Sequence, residues 1–163
     1  MRISRVSKFI AAALLLGIGG HAHAALVFTC TVGATSINFG AYNPLSGIGD
    51  AATGTINVTC TATGTGSATV TGTLTLSTGD SGSYTPRYMV SGTHQLDYNI
   101  YLTPAYTQII GNGTGGTYAP TESGTVVAGQ LYQVSLTLYG FIPASQNAAP
   151  GTYTDTIVAT VTY

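Results

Sequence analysis

Few residues of this chain could do acid–base chemistry, and they lie far apart in the sequence. After residue 24 there are one histidine, His94, no lysine and five acidic residues. Paired carboxylates can hydrolyse glycosides, and Asp80 with Asp97 is the only pair that can be considered. Asp97, however, precedes the core-facing Tyr98 and is expected to point to solvent. Acid–base catalysis needs polar groups that converge, so we predict that the chain is not an enzyme and has no catalytic residue.

Glycine-rich loops can cradle phosphate groups, and one such stretch runs from Gly111 to Gly116. A phosphate-binding loop is followed by a helix and, in its specific form, places Lys before Ser or Thr. This stretch has neither feature. Its Asn112-Gly113 dipeptide is typical of a hairpin turn. We therefore predict a turn at this position and no bound cofactor.

Cys30 and Cys60 are the two cysteines of the chain, and thiols serve as nucleophiles, metal ligands or disulfide partners. A metal site needs more ligands than these thiols and His94 would supply, so we predict none. In an exported protein an even number of cysteines favours a disulfide, and two cysteines leave one pairing. We expect a Cys30–Cys60 bond that stabilises the fold by about 3 kcal/mol.

The first 24 residues have the pattern of a cleaved secretory signal. Three basic residues precede an uncharged apolar run from Phe9 to Ile18, and the segment ends on Ala22-His23-Ala24. The run is shorter than the roughly 20 apolar residues that cross a bilayer, so we predict no membrane span. Cleavage is expected after Ala24, which leaves one domain over residues 25–163.

The composition of the domain excludes several classes of protein. Arg87 is its one basic residue against five acidic ones, which gives a formal charge of −4. One cation cannot neutralise several phosphates, so nucleic-acid binding is excluded. The chain is 44% hydrophobic, which argues against disorder. Abundant Thr, Val and Tyr favour strands, and Gly and Ser favour turns, so we predict an all-β fold.

Apolar residues alternate with polar ones in short runs, as in half-buried strands. Phe28, Cys30 and Val32 share one face of the first run, and Ile56 and Cys60 share one face of a later run. About eight runs of this kind without helical periodicity predict an antiparallel β-sandwich. The two inward-facing cysteines then either bridge the two layers or clamp neighbouring strands.

Several segments of the domain form a recognisable series. They are Phe39-Gly-Ala-Tyr-Asn-Pro-Leu-Ser-Gly47, Gly54-Thr-Ile-Asn-Val-Thr-Cys60, Leu96-Asp-Tyr-Asn-Ile-Tyr101, Tyr139-Gly-Phe-Ile-Pro143 and Gly151-Thr-Tyr-Thr-Asp-Thr-Ile-Val-Ala-Thr-Val-Thr-Tyr163. In this order, and over nearly the whole domain, they resemble the spore coat protein U domain family. That family includes subunits of archaic chaperone–usher pili of the Csu type, as well as coat proteins.

The resemblance implies an immunoglobulin-like sandwich that lacks its last strand. The gap would be filled first by a strand of a periplasmic pilus chaperone and then, at an outer-membrane usher, by the N-terminal extension of a neighbouring pilus subunit. The last strand run reaches Tyr163 and would leave an edge that nothing downstream covers. The groove residues expected from the resemblance are Phe28 and Val32 on one wall and Ile157, Ala159, Val161 and Tyr163 on the other.

Two features depart from the family pattern. Family members often carry Arg where this chain has Phe141. After cleavage, only Ala25–Thr29 precede Cys30, a stretch of at most about 18 Å that must also enter the protein's own first strand. We therefore expect a subunit that accepts a donor strand without giving a full one, such as a tip or minor subunit.

Three functions remain compatible with the sequence. The first is a structural subunit of a surface pilus, exported through the periplasm, that supports adhesion and biofilm formation. The second is a spore or cell-surface coat protein that assembles without an usher. The third is an adhesin domain that binds a glycan or another surface through the loops Tyr84–Val90 or Tyr101–Tyr118.

Overall fold

The computed structural model describes residues 2–3 and 24–163. The predicted signal segment lies almost wholly outside these residues, so its cleavage stays a prediction. Within the described part, the one helical element is a 3₁₀ turn at Gly79–Ser81, and no helix there is long and apolar enough to cross a membrane. The strands are β1 Arg2–Ile3, β2 Val27–Ala34, β3 Asp50–Thr63, β4 Ser67–Leu76, β5 Arg87–Ser91, β6 His94–Tyr101, β7 Thr121–Val127, β8 Leu131–Ile142, β9 Thr156–Ile157 and β10 Ala159–Thr162.

The strands build two antiparallel sheets that face each other. The larger sheet has the order β2-β3-β8-β6-β5 and the smaller has the order β10-β4-β7, while β1 pairs in parallel with β9. Strand β3 shows why the sheets stack, since Gly54, Ile56, Cys60 and Ala62 are buried while the residues between them are more exposed. The prediction of an immunoglobulin-like β-sandwich is confirmed.

The core between the sheets is divided into two clusters of buried side chains. The main cluster contains Ile37, Ile56, Leu74, Leu76, Met89, Leu96, Tyr98, Ile100, Ile110, Leu138, Ile142, Ile157, Ala159 and Val161. The second cluster contains Cys30, Cys60, Ala62 and Val126. Val58 and Tyr163 pack against both clusters and lie between them.

The last strand run differs from its predicted form. The alternation from Ile157 to Tyr163 predicts one strand, whereas the structure divides it into β9 and β10 at Val158. The cause is local, because the Val158 N–H donates to the Ser77 hydroxyl and the Val158 carbonyl accepts from the Ser77 N–H. A side chain therefore takes a bond that a neighbouring strand would otherwise make. Tyr163 follows the end of β10.

Candidate strand-acceptor groove

Two edge strands lie on the same side of the sandwich. Within the described part of the chain, β2 pairs only with β3, and β10 pairs only with β4. The two edges are close, because the rings of Phe28 on β2 and Tyr163 after β10 have centroids 5.9 Å apart. An unpaired strand edge presents a row of N–H and C=O groups that can pair with another strand. The outer edge of β10 is such a surface.

An apolar cleft opens between the sheets beside these edges. Both sheets line it, with Tyr132, Val134 and Leu136 from β8 facing Val70 and Val161 from the smaller sheet. The three β8 residues point inward, yet each is only half-buried. Inward-facing side chains of a sandwich are normally covered by the opposite sheet. Their partial exposure shows that the described residues do not fill the apolar space between the sheets here.

The floor of the cleft has a position without a side chain. Gly72 lies on β4, and a Cβ placed there would meet only the Val161 side chain at 3.6 Å and the Glu122 carbonyl oxygen at 4.0 Å. A larger residue would therefore fit against the backbone and extend into the cleft. Glycine within a strand often marks a place where another chain approaches closely.

The predicted groove residues of the last strand run fall into two groups. Val161 and Tyr163 line the cleft. Ile157 and Ala159 are 0% and 1% exposed and belong to the main core cluster. The alternating pattern thus places all four on the inner face, but the open part of the cleft lies at the C-terminal end of this run.

The predicted groove residues of the first strand, Phe28 and Val32, face inward on β2 and are half-buried. Phe28 packs against the second core cluster and Val32 against the main one. Between them, Cys30 lines the cleft. Of the inward-facing β2 residues, it is therefore Cys30, rather than the two predicted groove residues, that lines the cleft.

Strand β9, which precedes β10, pairs with the N-terminal strand β1 of the same chain. Arg2 and Ile3 pair in parallel with Thr156 and Ile157. Both residues of β1 belong to the predicted signal segment. Its removal would leave the edge of β9 without this partner and would extend the open edge of β10.

The start of the domain is fixed to the turn between β3 and β4. The backbone N–H and the hydroxyl of Thr65 both donate to the Ala24 carbonyl, at 3.2 and 3.1 Å. Gly64 has a φ of +97°, and a Cβ there would lie 2.3 Å from the Ala25 carbonyl oxygen. Only glycine permits this conformation and this approach. β2 then begins at Val27, so two residues separate Ala24 from the first strand of the domain.

The disulfide joins Cys30 and Cys60, which lie directly opposite each other on the neighbouring strands β2 and β3. The bond therefore clamps two strands of one sheet and does not bridge the two layers. Both sulfurs belong to buried residues of the second core cluster. The bond holds edge strand β2, which forms one side of the cleft, against the rest of the larger sheet.

We expect reduction of this disulfide to lower the free energy of unfolding by about 3 kcal/mol, because the bond closes a loop of 30 residues in the unfolded chain. The measurement is urea unfolding of the same protein with and without reductant, followed by tyrosine fluorescence. Thiol titration of the unfolded protein is the control for complete reduction. Superimposable unfolding curves would contradict the prediction.

The most deeply buried charged residue of the domain is Arg87, which is 0% exposed. Its Nε and Nη2 atoms donate to the Ser77 carbonyl at 3.1 and 2.9 Å, and Nη2 also donates to the Ile110 carbonyl at 2.8 Å. Nη1 donates to the Asn99 side-chain oxygen at 2.7 Å. The Arg87 guanidinium also lies over the Tyr84 ring, 4.9 Å from its centroid. The group thus joins β5 and β6 to the ends of two loops.

A buried carboxylate, Asp155, completes this polar cluster just before β9. It accepts a hydrogen bond from the Tyr98 hydroxyl at 2.5 Å and another from the Asp80 N–H at 2.9 Å. Burial raises the pKa of Tyr98 above its usual range, and the hydrogen bond to Asp155 acts in the same direction. Burial lowers the pKa of Arg87, while Tyr98, Tyr84 and Asp155 oppose that shift. These hydrogen bonds fix Asp155, and with it the start of β9, so the cluster has a structural role.

The other residues considered for chemistry do not converge. His94 is exposed at the start of β6, Asp80 lies in the 3₁₀ turn, and Asp97 exchanges backbone hydrogen bonds with the Gln146 side chain. In the stretch Gly111–Gly116, the Asn112 side chain accepts hydrogen bonds from Thr114, which is a local turn. Among the described residues, no three potential metal ligands come together.

Comparison with known proteins gives two matches. A family model described as Spore Coat Protein U domain matches residues 20–160. Among curated proteins, the chain is 30% identical over 138 residues to Protein U of Myxococcus xanthus, an alignment that covers 80% of this chain and 73% of that protein.

Proposed function

The chain belongs to the spore coat protein U domain family, and from this premise we propose that it is a structural subunit of a surface pilus assembled by the chaperone–usher route. Membership of the family by itself makes the chain a structural surface or coat protein. The pilus role is the finer proposal. A subunit of this kind would support adhesion and biofilm formation from the cell surface.

The single observation that carries the proposal is the outer edge of β10, which has no partner strand among the described residues, beside an apolar cleft between the sheets. A strand that adds to this edge would gain backbone hydrogen bonds with β10. Its alternate side chains would enter the space beneath Val70, Leu136 and Val161. The added strand would then supply side chains to this space, so it would complete the sandwich.

The proposed partners follow from the hazard of such an edge. An apolar cleft with a free strand edge promotes association with other chains. A periplasmic chaperone that lends a strand would cover it during export. A neighbouring subunit would replace that strand at an outer-membrane usher and leave the chain in a fibre at the cell surface.

The position proposed for this subunit is the pilus tip or a minor place in the fibre. With cleavage after Ala24, only Ala25 and Leu26 would precede β2, which begins at Val27. The Ala25 carbonyl also lies close against Gly64 of the β3–β4 turn. Strands that pair stably usually contain about five or six residues. The subunit would therefore accept a donor strand without providing one.

A second candidate is a spore or cell-surface coat protein that assembles without an usher. The observation that favours it is the similarity to Protein U of Myxococcus xanthus, which extends over most of both chains. In that case β2 and β10 would be covered by another copy or by a different coat component.

Co-expression with the chaperone encoded nearest to the gene tests the proposal. We expect a stable one-to-one complex whose pilus subunit has the intact mass of a chain beginning at Ala25. The same chain expressed without the chaperone should be recovered mainly as aggregates, because the β10 edge is then uncovered. A soluble monomer that does not bind the chaperone would overturn the pilus proposal and favour the coat-protein function.

A further inference from the structure

A second cleft lies at the opposite end of the sandwich. It opens between the segment 36–44, which follows β2, and the segment 148–154, which precedes β9. It reaches Ile142 at the end of β8, whereas the acceptor groove lies near Tyr132 at the start of the same strand. The two clefts are therefore separate sites.

The second cleft has an apolar floor, aromatic walls and a polar rim. Its floor consists of buried apolar side chains from three strands, and its walls include Tyr42 and Tyr153. Its rim carries exposed hydroxyl and amide side chains. Four of these side chains donate no hydrogen bond to any described residue. They are Ser36, Asn38, Thr152 and Thr154.

The walls are held in place by hydrogen bonds that use the polar ends of the tyrosines. The Tyr42 hydroxyl donates to the Pro143 carbonyl at 3.1 Å and accepts from the Gln146 N–H at 2.8 Å. The Tyr153 hydroxyl donates to the Ala149 carbonyl at 2.9 Å. Because their hydroxyls make these hydrogen bonds, the two tyrosines line the cleft with their rings. The cleft is thus formed before any ligand arrives, which lowers the entropic cost of binding.

The lining excludes two classes of ligand. No lining residue is charged, so the cleft has no group to pair with an ionic ligand. A peptide cannot add to the nearby edge of β5, because Val90 and Thr154 already exchange both backbone hydrogen bonds, at 2.9 and 3.0 Å. A ligand must therefore be neutral and be held by ring faces, hydroxyls and amides.

We propose that this cleft binds a neutral oligosaccharide. A pyranose ring has an apolar face that packs on tyrosine rings and a perimeter of hydroxyls that exchange hydrogen bonds with side chains such as Asn38 and Thr152. This combination of aromatic walls with a few polar groups is the usual form of a small-ligand site. The site does not depend on the pilus proposal, since a coat protein with the same cleft would bind the same ligand.

In the loops expected from the sequence to bind glycans, Tyr84, Tyr101 and Tyr106 are engaged elsewhere, whereas Tyr118 is 45% exposed. The Tyr84 hydroxyl donates to the Leu76 carbonyl at 3.0 Å. Tyr106 stacks on Phe141, with ring centroids 4.6 Å apart, and the Tyr101 ring meets Tyr106 edge-on. Tyr42 and Tyr153 also pack on the main core cluster, but they line a cleft together with hydroxyl and amide side chains, and this combination favours the second cleft as the glycan site.

Titration calorimetry of the purified protein, in its chaperone complex where that is the soluble form, tests the proposal. The probes are maltotriose, cellotriose and tri-N-acetylchitotriose, with trigalacturonic acid as the charged comparison. We expect at least one neutral trisaccharide to bind with a dissociation constant of about 1 mM or below, and the acidic one to bind at least tenfold more weakly. The absence of binding by all three neutral sugars, or equal binding of the acidic one, would overturn the proposal.

Three variants locate the binding. Tyr153→Ala should weaken binding at least tenfold, whereas Tyr153→Phe, which keeps the ring and loses the bond to Ala149, should stay within about twofold. Thr152→Arg, at an exposed rim position, should block the cleft without disturbing the core. Tyr118→Ala, which removes a 45% exposed tyrosine outside the cleft, is the matched control. Binding that survives Tyr153→Ala and Thr152→Arg, or that is lost in Tyr118→Ala, would contradict this location.

Discussion

Replacement of Arg87 by methionine is expected to lower the free energy of unfolding by about 3–5 kcal/mol. Methionine has a similar length and would fill most of the space, but it has no donor groups. The Ser77 and Ile110 carbonyls would lose the hydrogen bonds they accept from the guanidinium, and the Asn99 side-chain oxygen would keep only the bond from the Ile100 N–H. Each buried acceptor left without a donor costs about 1–3 kcal/mol. Urea unfolding of the two proteins at pH 7 measures the difference.

Two further variants separate the guanidinium from general effects. Arg87→Lys keeps the charge, but an ammonium cannot reach acceptors arranged around a planar fork, so an intermediate loss is expected. His94→Met changes an exposed residue of the neighbouring strand β6 and should change stability by no more than about 0.5 kcal/mol. An Arg87→Met protein as stable as the unchanged one would show that the buried bonds contribute nothing net.

This residue also shows the limit of the sequence. Alternation predicted most of the strands and the inner faces of β2 and β3, because these depend on neighbours one or two positions apart. The cysteine pairing followed from the count of two cysteines. Nothing local distinguishes Arg87 from an exposed arginine on a β-strand. Its burial depends on acceptors from Ser77, Asn99 and Ile110, which only the folded chain brings together. Arg87 is unusual as the one basic residue in a domain of charge −4, but this does not indicate that its guanidinium is buried.

The candidate groove was predictable in part for the same reason. The pattern places Ile157, Ala159, Val161 and Tyr163 on one face, and the structure agrees. The pattern does not predict how deeply each of these side chains is buried, because burial depends on which residues of the opposite sheet cover it. β7 had no alternating signal at all, since its sequence Thr-Glu-Ser-Gly-Thr-Val-Val is mostly polar. Yet β7 completes the smaller sheet and leaves β10 as its other edge.

In the proposed strand acceptance, the edge of β10 and the cleft beside it would make separate contributions. The edge would offer backbone hydrogen bonds to any strand, whereas the cleft would select strands whose alternate side chains fit between Val70, Leu136 and Val161. A substitution that fills the cleft and leaves β10 unchanged therefore tests the side-chain contribution alone. Gly72 is the position for it, because the space above it is open.

Gly72→Val is expected to reduce the amount of chaperone that co-purifies with the chain at least tenfold. The new side chain would extend into the cleft and occupy space that a donor side chain requires. The free chain should fold at least as well as before, because valine favours strands more than glycine does and its Cβ meets Val161 at 3.6 Å, an ordinary contact. Affinity purification at equal expression, quantified by intact mass, measures the ratio of chaperone to subunit.

Thr69→Val is the matched control, since Thr69 lies on the same strand β4 and is exposed on its outer face. The same side chain is introduced there without entering the cleft, so chaperone capture should stay within about twofold of the unchanged protein. Formation of the Cys30–Cys60 disulfide in both variants verifies that the strands have paired. If Gly72→Val captures as much chaperone as Thr69→Val, then the cleft does not receive donor side chains. Strand addition at β10 would then have to occur without insertion of side chains into the cleft.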